Sequence, residues 1–281
     1  MFPESIFPVL GSSESTYCKR IEVGSSKMSQ LRVAICGLAR DVQDMLPGTK
    51  LFIETLGSLF LDYRVYIVEN DSIDQTPSIL KAWASENQRV KVICNTFGHP
   101  RFKQIKDNTR ASMLAFHRNM YLKAVSGECH DFDVLIVLDT DIEIGWSIQG
   151  ICHSFSHSNW DVIGSQGLFF RKSKVSEIVH FDAWAFREKG RVESHENAII
   201  NRLMWAKGSA LIPLWSCFGG LAIYNSTCLP FMNYSGPDCE HVELHNNLRN
   251  FGCDRIFLNP SQIVLYNSIP QNHQSQGPYK P

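Results

Sequence analysis

The chain predicts an α/β fold of the Rossmann-like kind, a central, mostly parallel β-sheet flanked by helices. Three observations predict it. Short β-branched apolar runs alternate with helix-period patterns over residues 32–141, giving strand, helix, strand, helix, strand, helix, strand. The last run, residues 134–138, is continuously apolar and too short for a helix, as in a parallel strand buried on both faces. It closes in Asp139-Thr140-Asp141, two carboxylates one residue apart where open α/β sheets bind ligands.

Residues 32–37 read as the first strand, and Gly37 suits a turn that needs close backbone approach. Pro47 opens a helix with Phe52, Leu56, Leu59 and Phe60 as its buried stripe. Residues 63–68 form the second strand. Thr76 as N-cap and Pro77 at the first helical position start a helix over 77–86. Residues 90–94 form the third strand. Thr109 then caps a helix burying Met113, Phe116, Met120 and Ala124, ended by Gly127.

Beyond residue 141 the pattern is less regular. Residues 160–164, 210–215 and 221–224 read as strands, 239–251 as a helix that Gly252 ends, and 255–258 and 262–266 as two short strands. Residues 171–208 are mixed and charged and take no assignment. The organisation this predicts is an extension over 1–30 with little core of its own, one domain over 31–269, and a flexible tail over 270–281.

Composition narrows the function. Lys and Arg total 27 against 28 for Asp and Glu, a net charge of −1 that offers no electrostatic case for nucleic acid or an anionic membrane. The first residues lack the basic and apolar regions of a secretory signal. Residues 208–237 carry no charge, but Pro213, Gly219, Gly220, Asn225 and Pro230 interrupt them, so they read as buried strands and loops and no integral membrane segment is expected. Nine cysteines, an odd number without a Cys-x-x-Cys, suggest reduced thiols in a cytoplasmic protein.

Carboxylates such as Asp139 and Asp141 suit Mn²⁺ or Mg²⁺, and such ions also hold phosphate oxygens. An acidic turn after a strand is the plain alternative. The turn Glu69-Asn70-Asp71 offers acceptors to a base or ribose at the sheet's mouth, though its short polar residues also suit turn geometry alone. Arg110, Arg118 and Asn119 lie on the helix before the acidic strand, where guanidinium groups can support a diphosphate or form an ordinary solvated face. Trp215, Gly219 and Gly220 combine an aromatic face for a sugar with a turn open to close approach, or simply pack a strand. Asp182, Trp184 and Arg187 line an acceptor cleft or alternate along an amphipathic strand.

Glu69-Asn70-Asp71-Ser72-Ile73-Asp74-Gln75-Thr76 resembles the D-D-G-S-x-D-x-T turn of GT-A glycosyltransferases. Arg118-Asn119, Ala124, Gly127 and the run into Asp139-Thr140-Asp141 resemble their A-R-N-x-x-x-x-x-A-x-G and L-D-x-D segments. Glu240-His241-Val242-Glu243-Leu244, with Leu248 and Gly252, is similar to their E-D-x-E-L segment. Phe181-Asp182-Ala183-Trp184-Ala185-Phe186-Arg187 and residues 214–220 also resemble fungal capsule-associated mannosyltransferases.

The resemblance implies a GT-A fold and a metal-dependent enzyme that moves a hexose from a nucleoside-diphosphate sugar to a glycan or glycoconjugate. It implies the base near Gly37, Arg40, Glu69, Asn70 and Asp71, and the diphosphate held through Mn²⁺ or Mg²⁺ by Asp139 and Asp141. Glu240, Asp238 or Glu243 is then the general base on the acceptor. His241 stands where many inverting enzymes have Asp, and with His245 offers a third metal ligand or a plain helix-surface or core histidine. A sugar nucleotidyltransferase needs a Gly-rich basic phosphate loop, which residues 37–41 do not supply. A catalytically inactive sugar- or nucleotide-binding module remains the other alternative.

Overall fold

The structure, a computed structural model, describes residues 2–102, 106–128, 131–171, 177–194, 199 and 203–267. Four strands, β1 (Arg32–Ala39), β2 (Asp62–Asn70), β3 (Val90–Asn95) and β4 (Val134–Asp139), lie in the order β3-β2-β1-β4, all parallel. They are linked by α2 (Leu46–Gly57), α3 (Thr76–Glu86) and α4 (Asn108–Ser126). The α/β class and the parallel, helix-flanked central strands agree with the sequence.

Alternate side chains sort the layers, as the period of two demands. Val33, Ile35, Ile136 and Leu138 face α2, α3 and α5 (Ile148–Ser156). Ala34, Cys36, Leu135 and Val137 face α4 and α6 (Glu240–Asn250). The site lies at the C-terminal ends of β1, β2 and β4, between the layers.

The second half is mixed. β10 (Leu221–Asn225) runs antiparallel between β4 and β6 (Val162–Arg171). β11 (Ile256–Leu265) lies parallel to β6, and β9 (Ile212–Ser216) antiparallel to β11. β5 (Gly145–Trp146) pairs with β11, β7 (Glu177–His180) with β6, and β8 (Arg187–Glu188) with β9.

Several expectations need correction. Residues 1–30 contribute real core: α1 (Glu14–Met28) buries Tyr17, Gly24 and Met28, and Phe2 and Phe7 are buried with Leu168, Phe170, Ile263 and Leu265. Gly24 lets α1 lie against α5, since a Cβ there would come 1.7 Å from the Cys152 carbonyl oxygen. α4 is capped by Asp107, not Thr109, and buries Ala111, Ala115, Arg118 and Tyr121, while Phe116 is exposed. α5 had no predicted counterpart. The two short strands near the C-terminus are one strand, β11, bulged between Asn259 and Ile263.

No helix among the described residues is long and apolar enough to cross a membrane. The uncharged 208–237 stretch supplies β9, β10 and a 3₁₀ turn. The expected tail over 270–281 lies outside the described residues.

Candidate active site

β4 delivers its acidic end between β1 and β10. Asp139 sits opposite Leu38, and its N–H donates to the Gly220 carbonyl at 2.9 Å. Thr140 is buried: its hydroxyl donates to Leu38 O at 2.6 Å, and its carbonyl accepts from the Thr49 hydroxyl at 3.0 Å. Fastening the middle residue leaves Asp139 and Asp141 to line a cavity of about 370 Å³.

Asp139 is held on both carboxylate oxygens. Arg118 Nη2 donates to Oδ1 at 3.4 Å and the Tyr266 hydroxyl to Oδ2 at 2.7 Å. Asp141 has an exposed residue surface, but its carboxyl faces the cavity, and desolvation there, then the Asp139 charge, raise its pKa. Gly219 and Gly220, both at positive φ, shape the backing turn. A Cβ on Gly220 would lie 2.3 Å from the Tyr266 hydroxyl, so glycine here admits the ring that reaches Asp139.

The opposite wall is the start of α6. Glu240 is 4% exposed, and Arg118 Nε donates to its Oε1 at 3.2 Å. His241 is 2% exposed and stacks on Phe218 with ring centroids 3.7 Å apart. Burial, then the Arg118 charge, push its pKa well below the ordinary histidine value, and neither ring nitrogen has a hydrogen-bond partner.

One turn on, His245 lies in the core away from the cavity. Its Nδ1 bonds the Ser216 hydroxyl at 2.8 Å and its Nε2 the Tyr224 hydroxyl at 3.1 Å. Asp238 pairs with Arg187 at 2.6 Å behind the cavity wall. Glu243 also stands outside the cavity, its carboxyl raised by burial and by Asp238.

The β2 side is organised by a loop. Asp71, at φ 53°, accepts from the N–H groups of Phe97 at 2.7 Å, Gly98 at 2.8 Å and His99 at 3.2 Å. Desolvation raises its carboxyl, but the Asn70 amide and these N–H groups outweigh it and hold the pKa far below the usual range. Arg40 donates to His99 O at 2.6 Å and Pro100 O at 3.2 Å. Asp71 and Arg40 therefore build the loop that bounds the cavity.

Arg40, Asn70, Arg110, Arg118, Asp139, Asp141, Glu240 and His241 meet at this one cavity. Gly37 lies beneath it, where a Cβ would approach Thr140 Cγ2 to 3.0 Å. Glu69 is buried in its turn, accepting from Ser72 N–H at 3.0 Å. Asn119 clamps the Tyr234 backbone with two 2.9 Å bonds. Trp215 lies elsewhere, under the Arg249 guanidinium at 4.9 Å.

Tyr266 and His99 line the cavity without having been expected there, joined by Phe218 from the 214–220 segment and His117 from α4. His99 Nδ1 and His117 Nε2 are 3.2 Å apart, and burial, then His99, push His117 down to about 4. Pairing a buried helix histidine with one in a loop leaves no local sequence signal.

No family model and no curated protein matches this chain. Solved structures do. A Pyrobaculum calidifontis mannosyltransferase, PcManGT, in complex with GDP-Man and Mn²⁺, aligns at TM-score 0.52 and 11% identity over 92% of this chain and 67% of its own. GalNAc-T7 with UDP, GalNAc and Mn²⁺ aligns at TM-score 0.53 and 11% identity over 96% of this chain, which spans 55% of that protein. At such identity the likeness shows the fold, and the chain has the GT-A fold.

Proposed function

We propose that the chain is a metal-dependent glycosyltransferase that moves a hexose from GDP-mannose or a UDP-hexose to a hydroxyl of a glycan or glycoconjugate. The carrying observation is that Asp139 and Asp141, at the C-terminal end of β4, share one cavity with the buried Glu240 and His241. The two solved structures with the same fold are described with Mn²⁺ and a nucleotide or nucleotide sugar, which supports the same chemistry here.

The donor set fits Mn²⁺ or Mg²⁺. Asp139 and Asp141 would hold the ion through hard oxygens, and the unpartnered nitrogens of His241 offer a third ligand from α6. Among the described residues no three or more His, Cys, Asp or Glu side chains form a ready-made metal cage. An ion held by so few protein ligands leaves positions for diphosphate oxygens. When bound it would neutralise charge developing on the leaving nucleoside diphosphate.

The chain's own residues do the rest. Arg40, Asn70 and Arg110 bound the donor side, with Arg110 placed to meet phosphate. Arg118 orients Asp139 rather than reaching phosphate itself, because its donors point at Asp139 and Glu240. Glu240, Asp182 and Trp184 bound the acceptor side. Asp182 and Trp184 belong to the segment that resembles the fungal capsule-associated mannosyltransferases, which favours mannose as the sugar. The eight described cysteines are free thiols, which suits a reducing, cytoplasmic setting.

The test is a panel of GDP-mannose, UDP-glucose and UDP-galactose, scored by thermal shift and release of nucleoside diphosphate, with and without Mn²⁺. One donor should stabilise the protein and turn over only with metal. No stabilisation and no turnover with any donor would reject the proposal.

A further inference from the structure

We infer that Asp182 accepts the proton of the attacking hydroxyl, a role that rests on the transferase proposal. Its position carries the case. Asp182 follows β7, lines the same cavity as Asp139 and Glu240, and adopts φ 70°, a left-handed conformation that Asp and Asn take more readily than other non-glycine residues. Gly219 N–H holds its carboxylate by donating to Oδ2 at 3.1 Å.

The neighbouring carboxylates are committed elsewhere. Glu240 and Asp139 are both ion-paired with Arg118, and Asp139 also accepts from Tyr266. A general base must surrender its acceptor atoms to the incoming proton, which an ion pair opposes. Asp182 has no cationic partner among the described residues, and backbone N–H groups alone hold it.

The surroundings also suit a sugar hydroxyl. The Phe181 ring lies against Tyr266 with centroids 3.7 Å apart, and Trp184 lines the cavity two residues on. These faces can pack on an acceptor ring while the intervening Asp182 meets its hydroxyl. The residue is half-buried, and desolvation, then the charges of Asp139 and Glu240, bring its carboxyl up to about 7. A base of that strength is half ionised near neutral pH. A dication between Asp139 and Asp141 would draw it back down and keep it ionised.

In the step assigned to Asp182, the acceptor oxygen forms a bond to the anomeric carbon. The bond from that carbon to the β-phosphate oxygen breaks, and its electron pair leaves with the nucleoside diphosphate. The hydroxyl proton passes to the Asp182 carboxylate. Displacement on one face inverts the anomeric configuration.

The experiment compares Asp182→Asn, Asp182→Gly and wild type on the donor that the wild type turns over, with water or methyl hexosides as acceptor. Asn and Gly both tolerate the left-handed backbone, so the fold should survive. We expect Asp182→Asn to bind donor within about threefold of wild type, by thermal shift, and to lose at least 100-fold in transfer. Formate should restore transfer at least tenfold in Asp182→Gly, where the lost carboxylate leaves room for it. Transfer within threefold of wild type in either variant without formate, no rescue, or retention at the anomeric carbon would overturn the role. A wild type inactive on every donor would instead sink the transferase proposal, and Asp182 with it.

Discussion

Arg118 and Glu240 form a buried ion pair, Nε to Oε1 at 3.2 Å, with both side chains about 5% exposed. The same guanidinium reaches Asp139 at 3.4 Å and lies over the rings of Phe218 and Tyr234 at 5.4 and 5.7 Å. One cation thus couples the acidic end of β4 to the start of α6. The two walls of the cavity keep their spacing through it.

Removing that cation leaves Glu240 buried without a charged partner, with only the Cys239 thiol donating to it at 3.8 Å. Arg118→Met should cost about 3–5 kcal/mol of stability, the usual penalty for breaking a buried pair from one side. Urea denaturation at pH 7 reads this directly. A loss below about 1 kcal/mol would mean that water, not Arg118, compensates Glu240.

The two histidines of α6 should separate cleanly. His245 satisfies Ser216 and Tyr224, so His245→Ala should cost about 2–4 kcal/mol and leave the metal affinity of the folded protein unchanged. His241 makes no hydrogen bond, so His241→Ala should cost less stability but weaken Mn²⁺ binding about tenfold if it completes the metal site. Equal Mn²⁺ affinity in both variants would return His241 to a packing role.

Acid should destabilise the protein through its buried histidines before the carboxylates of ordinary pKa titrate. His153 and His180 are buried, and desolvation pushes both down to about 4, against about 6.5 in the unfolded chain. Between those values the unfolded state binds protons that the folded state refuses. Stability therefore rises with pH through this window and falls as pH drops from 6.5 towards 4, by up to about 1.4 kcal/mol per unit per group. Melting curves at pH 7, 6 and 5 without metal should show a falling Tm. A flat Tm would show that these rings protonate inside the fold.

What could be read from the sequence follows from what is local. β4 and its acidic end were legible because a short apolar run buried on both faces leaves an uninterrupted signature, and its end is a binding position by topology alone. α4 was legible as a helix but not by face. Its inner side meets a polar cavity, so His117 and Arg118 are buried while Phe116 stays 49% exposed. α5 escaped notice because its apolar stripe, Ile148, Ile151, Cys152 and Phe155, spans only nine residues and is interrupted by Gly150 and His153. Gly150 is there for close approach, since a Cβ on it would lie 1.8 Å from Ser261 O. Tyr266 reaches Asp139 across 127 residues of chain, a contact that no local pattern encodes.

The role of Asp139 and Asp141 is tested most directly by calorimetric titration of GDP and UDP into wild type, Asp139→Asn and Asp141→Asn, with Mn²⁺ or with EDTA. Asn keeps the shape of Asp, its amide oxygen can still accept a hydrogen bond, and Arg118 keeps its pairing with Glu240, so the variants should melt close to wild type. The wild type should bind one of the nucleotides only with Mn²⁺, and each variant should lose at least tenfold in that affinity. Equal nucleotide affinity in all three proteins, with or without Mn²⁺, would contradict the assignment.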